Sequence, residues 1–388
     1  MPLFQSLSDH PPVPRQLSDE QKLNWLRLIR TRNVGPVTFW RLINYFGGAE
    51  QALEFLPEFA RRTKKHQNQP PPITKQMVER ELQAARKSGA VLVARGEPGY
   101  PAALAHLDAP PPLLYVKGNQ KLATMPGVAI VGSRNGSAVG QKFTRRLVQE
   151  LAREGYAIIS GLARGIDTAA HAGALDQATI AVIAGGIDNY YPPQNRDLQR
   201  KIEKNGLVIT EKPPGYEPRA RDFPSRNRII SGCSLGTIVV EANLRSGSLI
   251  TARLASEQGR EVMAVPGHPT DPRAAGPNRL IMSGASMITC AKDVVEILTP
   301  MTDIKRHAPR ELFETNEGQP TIGEIDVEHN TRNIVLSALS TQAVEIDELI
   351  RSTGLQSREV RIILLELELD GRLEHDGAQN VRLLTAID

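Results

Sequence analysis

Arginine is the residue whose placement carries chemistry in this chain of 388 residues. One stands in Gly132-Ser133-Arg134, directly after the apolar run Val128–Val131, and four more (Arg219, Arg221, Arg226 and Arg228) crowd into a single short stretch. A guanidinium beside a glycine turn and a helix N-terminus offers charge and backbone N–H donors together, which suits phosphate. A run of arginines also reads as a solvated face. Here Asn227 and Arg228 sit in an apolar frame of Phe223, Ile229 and Ile230, which predicts a pinned cluster. The carboxylates are more ambiguous. Asp167 and Glu241 fall at strand ends, where a pair can do acid–base work, but each can equally hold a loop by accepting N–H or arginine bonds. His268 has no nucleophile at a motif spacing and reads as a loop residue.

Other chemistries lack their residues. There is no G-x-x-x-x-G-K-[ST] loop, no G-x-S-x-G elbow and no H-E-x-x-H pair in the sequence. Cys233 and Cys290 stand far apart without metal spacing, so both are expected to be core thiols, and neither a metal nor a cofactor is expected.

The elements that position the arginines follow from apolar patterning. Val128–Val131 is continuously apolar, as in a parallel strand covered on both faces. From Ser137 the residues Val139, Phe143, Leu147 and Leu151 recur every fourth position and predict a helix facing the turn. Gly132, Gly136 and Gly140 are four apart, which departs from the dinucleotide fingerprint, and the second strand ends in Ser160-Gly161 without a ribose-binding carboxylate. Further strands are expected near 90–94, 113–117, 157–160, 180–184, 207–210, 237–240, 261–265 and 287–289, with helices between most of the later ones. Such alternation gives an α/β fold with a doubly wound, mainly parallel sheet and its ligand at the strand carboxyl ends. The loops expected there are Gly132–Arg134, Ser160–Asp167 with Gly161 and Arg164, a third with Gly185, Gly186, Asp188, Tyr190 and Tyr191, and a fourth from Glu211 and Lys212 through Phe223–Ile230.

Outside this core, residues 1–17 read as a flexible tail and 18–89 as a small helical domain. In it Ser18 and Gln21 offer a capping box, and Asn33-Val34-Gly35-Pro36 joins two helices in a hairpin that can hold a phosphate or simply pack. Arg61–Pro72 reads as a basic connector and 301–324 as a linker after the 90–300 core. Residues 325–388 give three helices and a hairpin, a winged-helix pattern. Residues 1–90 carry a net charge of +6 and residues 325–388 a net charge of −6, within a whole chain at +4. The third helix, SREVRIILLELELDG, would repel a phosphate backbone over much of its length, so a protein-contact or structural role is favoured. No run reaches membrane-spanning length and no signal block opens the chain, so a cytoplasmic protein is expected.

Taken together, GYPAALAHLDAPPPLLYVKG, AIVGSRNGSAVG, IISGLARGIDTAAHAGAL, FPSRNRIISGCS, VVEANLRSGSLITARLASEQGREVMAVPG and GPNRLIMSGA, in unbroken order over Gly99–Ala285, resemble the DNA-processing protein A (DprA/Smf) family. The resemblance implies an extended Rossmann-like core between a helical N-terminal domain of SAM or helix-hairpin-helix type and a C-terminal winged helix. It also implies a non-catalytic protein of natural transformation that binds single-stranded DNA, forms a homodimer through the core and loads RecA recombinase. The family's glycine-serine-arginine loop falls on Gly132, Ser133 and Arg134, and its arginine-asparagine-arginine segment on Arg226, Asn227 and Arg228. Gly161, Arg164, Lys212 and Phe223 complete the expected DNA-binding set, with Phe223 and Tyr216 as rings for base stacking. Aromatic residues are only 4% of the chain, so binding should be more electrostatic than stacking-driven. Two other functions compete. A phosphoribohydrolase-like enzyme would need a proline-glycine-glycine run where Cys233-Ser234-Leu235 stands, and a winged-helix regulator conflicts with the acidic third helix.

Overall fold

The computed structural model describes residues 16–62, 73–304, 329–376 and 380–384. Most of the expected tail, connector and linker therefore lies outside the described residues. Four helices open the chain: α1 (Asp19–Arg30), α2 (Pro36–Phe46), α3 (Ala49–Arg62) and α4 (Lys75–Lys87). The α1 start carries the reciprocal box the sequence predicts, with Ser18 and Gln21 exchanging side-chain and backbone bonds. The sequence reading passes over α3 and starts the connector at Arg61, whereas the helix continues through Arg62. Trp25, Phe39 and Trp40 meet edge to face at 5.1–5.4 Å, the favoured geometry for the ring quadrupoles. Leu17 belongs to this domain rather than to a tail, because its N–H donates to Glu97 and its side chain packs on the same core.

The core consists of β1 (Val91–Ala94), β2 (Leu113–Gly118), β3 (Gly127–Val131), α5 (Ala138–Arg153), β4 (Ala157–Ser160), α6 (Ile166–Ala174), β5 (Thr179–Val182), α7 (Arg196–Asn205) and β6 (Leu207–Thr210). It continues with α8 (Asp222–Gly232), β7 (Gly236–Val239), α9 (Gly247–Glu257), β8 (Glu261–Ala264), α10 (Ala275–Met282), β9 (Ser286–Met287) and α11 (Ala291–Ile304). The strands form one sheet in the order β1-β2-β6-β5-β4-β3-β7-β8-β9, parallel except for β2 against β1 and β6. From β3 the chain steps outward through β4, β5 and β6, then returns to place β7 on the other side of β3. The strand order thus reverses between β3 and β7, and a crevice opens at their carboxyl ends. Val128, Ala129 and Ile130 are wholly buried, as their unbroken apolarity requires, and the valine and isoleucine side chains each contribute about 1.5–3 kcal/mol.

Four expectations are corrected here. Val139 is 79% exposed and stands off the core face of α5, which Leu147 and Leu151 do occupy. Phe223–Ile230 is helix rather than loop, because Pro224 falls in the first turn of α8, where its missing N–H has no intrahelical partner to lose. Cys233 is buried but Cys290 is exposed at the start of α11. That helix also extends through Ile304, so the first residues assigned to the linker are helical.

The last domain has α12 (His329–Ala338), β10 (Val344–Glu345), α13 (Ile346–Thr353), α14 (Ser357–Leu369), β11 (Leu373–Asp376) and β12 (Asn380–Leu383), with β12 central in its small sheet. It has its own core around Val335, Leu349, Val360, Ile363 and Val381. Leu365 of α14 instead joins the N-terminal core.

Candidate functional site

The rim at the carboxyl ends of β3, β4 and β5 is built by loops that hold one another. Ser133 N–H donates to the Glu241 carbonyl at 2.6 Å, which ties the β3 loop to the end of β7 across the crevice. Glu241 receives Ser137 N–H at 2.8 Å and Ser137 Oγ at 2.5 Å, and Ser137 Oγ in turn caps α5 through Gly140 N–H. Of the two roles open to Glu241, the geometry takes the bracing one. Asp167, in the first turn of α6, likewise accepts Gly161 N–H at 3.1 Å and Ala163 N–H at 3.3 Å. Burial raises its carboxyl pKa, against the pull of Arg226 and those N–H groups.

Leu162 lies between them at φ 57°, a left-handed conformation that is strained for leucine. It is held because Asn195 Nδ2 donates to the carbonyls of Leu162 and Ala163. Gly165 has φ 76°, and a Cβ there would stand 2.3 Å from the Ser133 carbonyl oxygen. The β3 and β4 loops approach this closely only with glycine at that position.

Arg226 lies beneath this surface. Only 7% exposed, it donates from Nη1 to the carbonyls of Gly161 and Val182, capping the ends of β4 and β5. A Cβ on Gly161 would lie 2.6 Å from its guanidinium, so that glycine makes room for the arginine. Burial, opposed by Asp167 and assisted by Arg134, pushes the Arg226 pKa down to about 10. It remains charged at neutral pH and acts as a pin.

Arg134 is the converse. Exposed at the β3 end, it sits over the Phe223 ring, 5.5 Å from guanidinium carbon to ring centroid. Two clefts meet at this pair. The larger, of about 680 Å³, opens at the β3–β7 switch and is lined by Gly132, Ser133, Arg134, Phe223, Arg226 and Asn227 together with Asn243 and Arg245. The smaller, of about 250 Å³, lies toward β5 between Arg134, Gly161, Arg164, Tyr191, Phe223 and Arg226.

Eight of the ten residues expected from sequence therefore line the two clefts, and two do not. Arg228 pairs with Glu211 behind the rim. Lys212 pairs with Asp222 at 2.8 Å and lies over the Tyr216 ring. Asp222 also receives Tyr216 Oη and Arg219 N–H; although burial works against its charge, these bonds keep its carboxyl below the usual range. The sequence reading places Tyr191 in a rim loop but not in the DNA-binding set, and it passes over Asn243 and Arg245. The rule that found Arg134 would have found Asn243 and Arg245, since both follow the carboxyl end of β7 just before α9.

Known proteins can now be set against this geometry. A family model for DNA recombination-mediator protein A matches residues 91–299, a DprA-like N-terminal HHH domain matches 19–84, and a DprA winged helix domain matches 326–378. The chain belongs to the DNA recombination-mediator protein A family. Protein Smf from Synechocystis is 30% identical over 93% of this chain and 98% of its own length. The X-ray structure of DprA from Streptococcus pneumoniae superposes with a TM-score of 0.61 at 34% identity, covering 70% of this chain and 97% of that one. A DprA structure from Helicobacter pylori, described for its single-stranded DNA binding mode, has a TM-score of 0.50 at 31% identity and covers 55% of this chain and 96% of that one. The recombination-mediator match spans every strand of the large sheet, and with it both clefts. No helix among the described residues is long and apolar enough to cross a membrane.

Proposed function

We propose that the chain binds single-stranded DNA without catalysis, shields incoming strands and loads RecA recombinase onto them during natural transformation. The observation that carries this reading is the Arg134–Phe223 pair at the meeting of the two clefts. Sequence-tolerant strand binding needs cations for phosphates and a π-face for bases side by side, and here one exposed guanidinium and one ring supply both. Gly132, Ser133, Asn227 and Arg164 extend the contact surface, while Arg226, Arg228 and Lys212 keep the rim in shape. The bracing of Glu241 by Ser137 favours this reading over hydrolysis of a nucleotide. A homodimer through the core fits the edge strand β9 and the end of α10 before it, where Met287 and Met282 are 57% and 88% exposed.

The test is a titration of the full chain against a single strand, a duplex and a nucleoside monophosphate. The single strand should bind without sequence preference. With roughly 3–5 phosphates neutralised per protomer, log affinity should fall against log salt with a slope of about −2 to −3.5. A salt-independent affinity, or turnover of the monophosphate, overturns the reading. RecA loading is read as faster filament formation on the bound strand, and the dimer by sedimentation.

A further inference from the structure

The hairpin between α1 and α2 ends at Gly35, which gives the α2 N-terminus no side-chain cap. The winged helix ends α14 against it. Asn33 Nδ2 donates to the Leu369 carbonyl at 2.9 Å, and Thr38 Oγ1 donates to Glu368 Oε1 at 2.7 Å. Arg41 lies 3.4 Å from Glu368 Oε2, and His375 lies 3.5 Å from the same oxygen. A hydroxyl, a guanidinium and an imidazole thus converge on one carboxylate brought in from more than three hundred residues away. With α14 in place Thr38 is only 2% exposed, so its hydroxyl is shielded from solvent by the carboxylate it serves. Burial works against the Glu368 charge, yet bonds from His375 and Thr38 and the charge of Arg41 outweigh it and hold the carboxyl below its usual range.

A site that stabilises a buried anion with these donors suits a phosphate oxygen as well as a carboxylate. Arg32 on the same hairpin is exposed and adds positive charge. Arg30, at the end of α1, donates to the Glu211 carbonyl, so this helix is tied to the segment that follows β6 at the rim.

We propose that Thr38 and Arg41, with Asn33 and Arg32 beside them, form a second site for a nucleic-acid backbone phosphate, which Glu368 fills while the winged helix is docked. The proposal rests on the reading of this chain as a strand-binding protein. Undocking would free the site and add phosphate contacts to those at the rim.

The experiment uses the full chain with a fluorescein-labelled oligothymidylate, in an Arg134→Ala background that weakens the rim. Adding Glu368→Ala should tighten binding about tenfold or more, the worth of a charge-assisted contact, and steepen the salt slope by about 0.7 per phosphate gained. Adding Arg41→Ala as well should abolish the gain, although it too loosens the docking. Glu374→Ala, which makes the same charge change on the same domain, should give none. Glu368→Gln, close in shape and uncharged, should repeat the direction of the gain if the alanine variant melts early. No gain from either Glu368 variant, an equal gain from Glu374→Ala, or a gain that survives Arg41→Ala overturns the proposal. Failure of the strand-binding reading would show separately, as Arg134→Ala alone binding like the unaltered chain.

Discussion

The sheet rim and α14 both concentrate charge, with opposite sign and opposite use. At the rim the buried cation, Arg226, satisfies backbone carbonyls, and Arg134 is left exposed with no carboxylate partner among the described residues. On α14 the acids are taken up within the protein: Glu366 and Asp370 by Arg332, and Glu368 by Arg41 and Thr38. The helix that would enter a DNA groove in a winged-helix regulator is thus occupied by intramolecular bonds. A run of charge in a sequence does not say which way it faces; the partner each side chain finds decides that. The rim leaves Arg134 unneutralised, and α14 neutralises its anions.

Breaking the rim from below should give the largest effect. Arg226→Ala strands two buried carbonyls and removes the cation beside buried Asp167, which should cost about 3 kcal/mol of stability, read as a lower urea midpoint. An unchanged midpoint would mean the guanidinium does not hold the β4 and β5 ends. Arg134→Ala should do the reverse: the midpoint stays where it was while single-strand affinity falls about tenfold or more, since a charge-assisted phosphate contact contributes about 1.5–3 kcal/mol. If the Arg134 variant binds normally, the cleft is not the strand's path. Arg228→Ala should be milder still, within about threefold in affinity, because Arg228 reaches the strand only through the Glu211 segment it braces.

Those differences mark what the sequence could convey. Arg134 was legible because its position depends on local pattern: an apolar strand, a glycine turn, and a helix capped by Ser137. Arg226 and Arg228 look alike in sequence, and their roles diverge because the partners lie elsewhere. The carbonyls that bury Arg226 come from the ends of β4 and β5, whereas Glu211 arrives from the end of β6. The sequence gives no helical sign for α8, because Pro224 and the polar run around it obscure the period, although a first-turn proline is compatible with helix. The winged helix was legible as a pattern, and the acids that argue against a groove-binding role are the ones paired within the protein. That Glu368 meets Arg41 depends on how two domains dock, which no local spacing encodes.

The smallest expected effect separates the two regions by acid. Against the burial that would raise it, bonds from His375 and Thr38 hold the Glu368 carboxyl below its ordinary value of 4.5 in the folded chain. A depressed folded pKa means that the docking contribution is fully present above the unfolded value and is lost as pH falls through the folded one. Docking should therefore loosen only below about pH 4.5, by about 1 kcal/mol, the worth of one such hydrogen-bonded contact. Asp222, which anchors Lys212 and the start of α8, is likewise held below its ordinary value of 3.8 against its burial, so the contribution of this anchor begins to fall only below about pH 3.8. Small-angle scattering down a pH series should show the chain expanding as pH falls below about 4.5, and Glu368→Gln should remove that step. Expansion that begins near neutrality, or one that survives the glutamine substitution, would show that Glu368 is not the group that fastens α14 to α2.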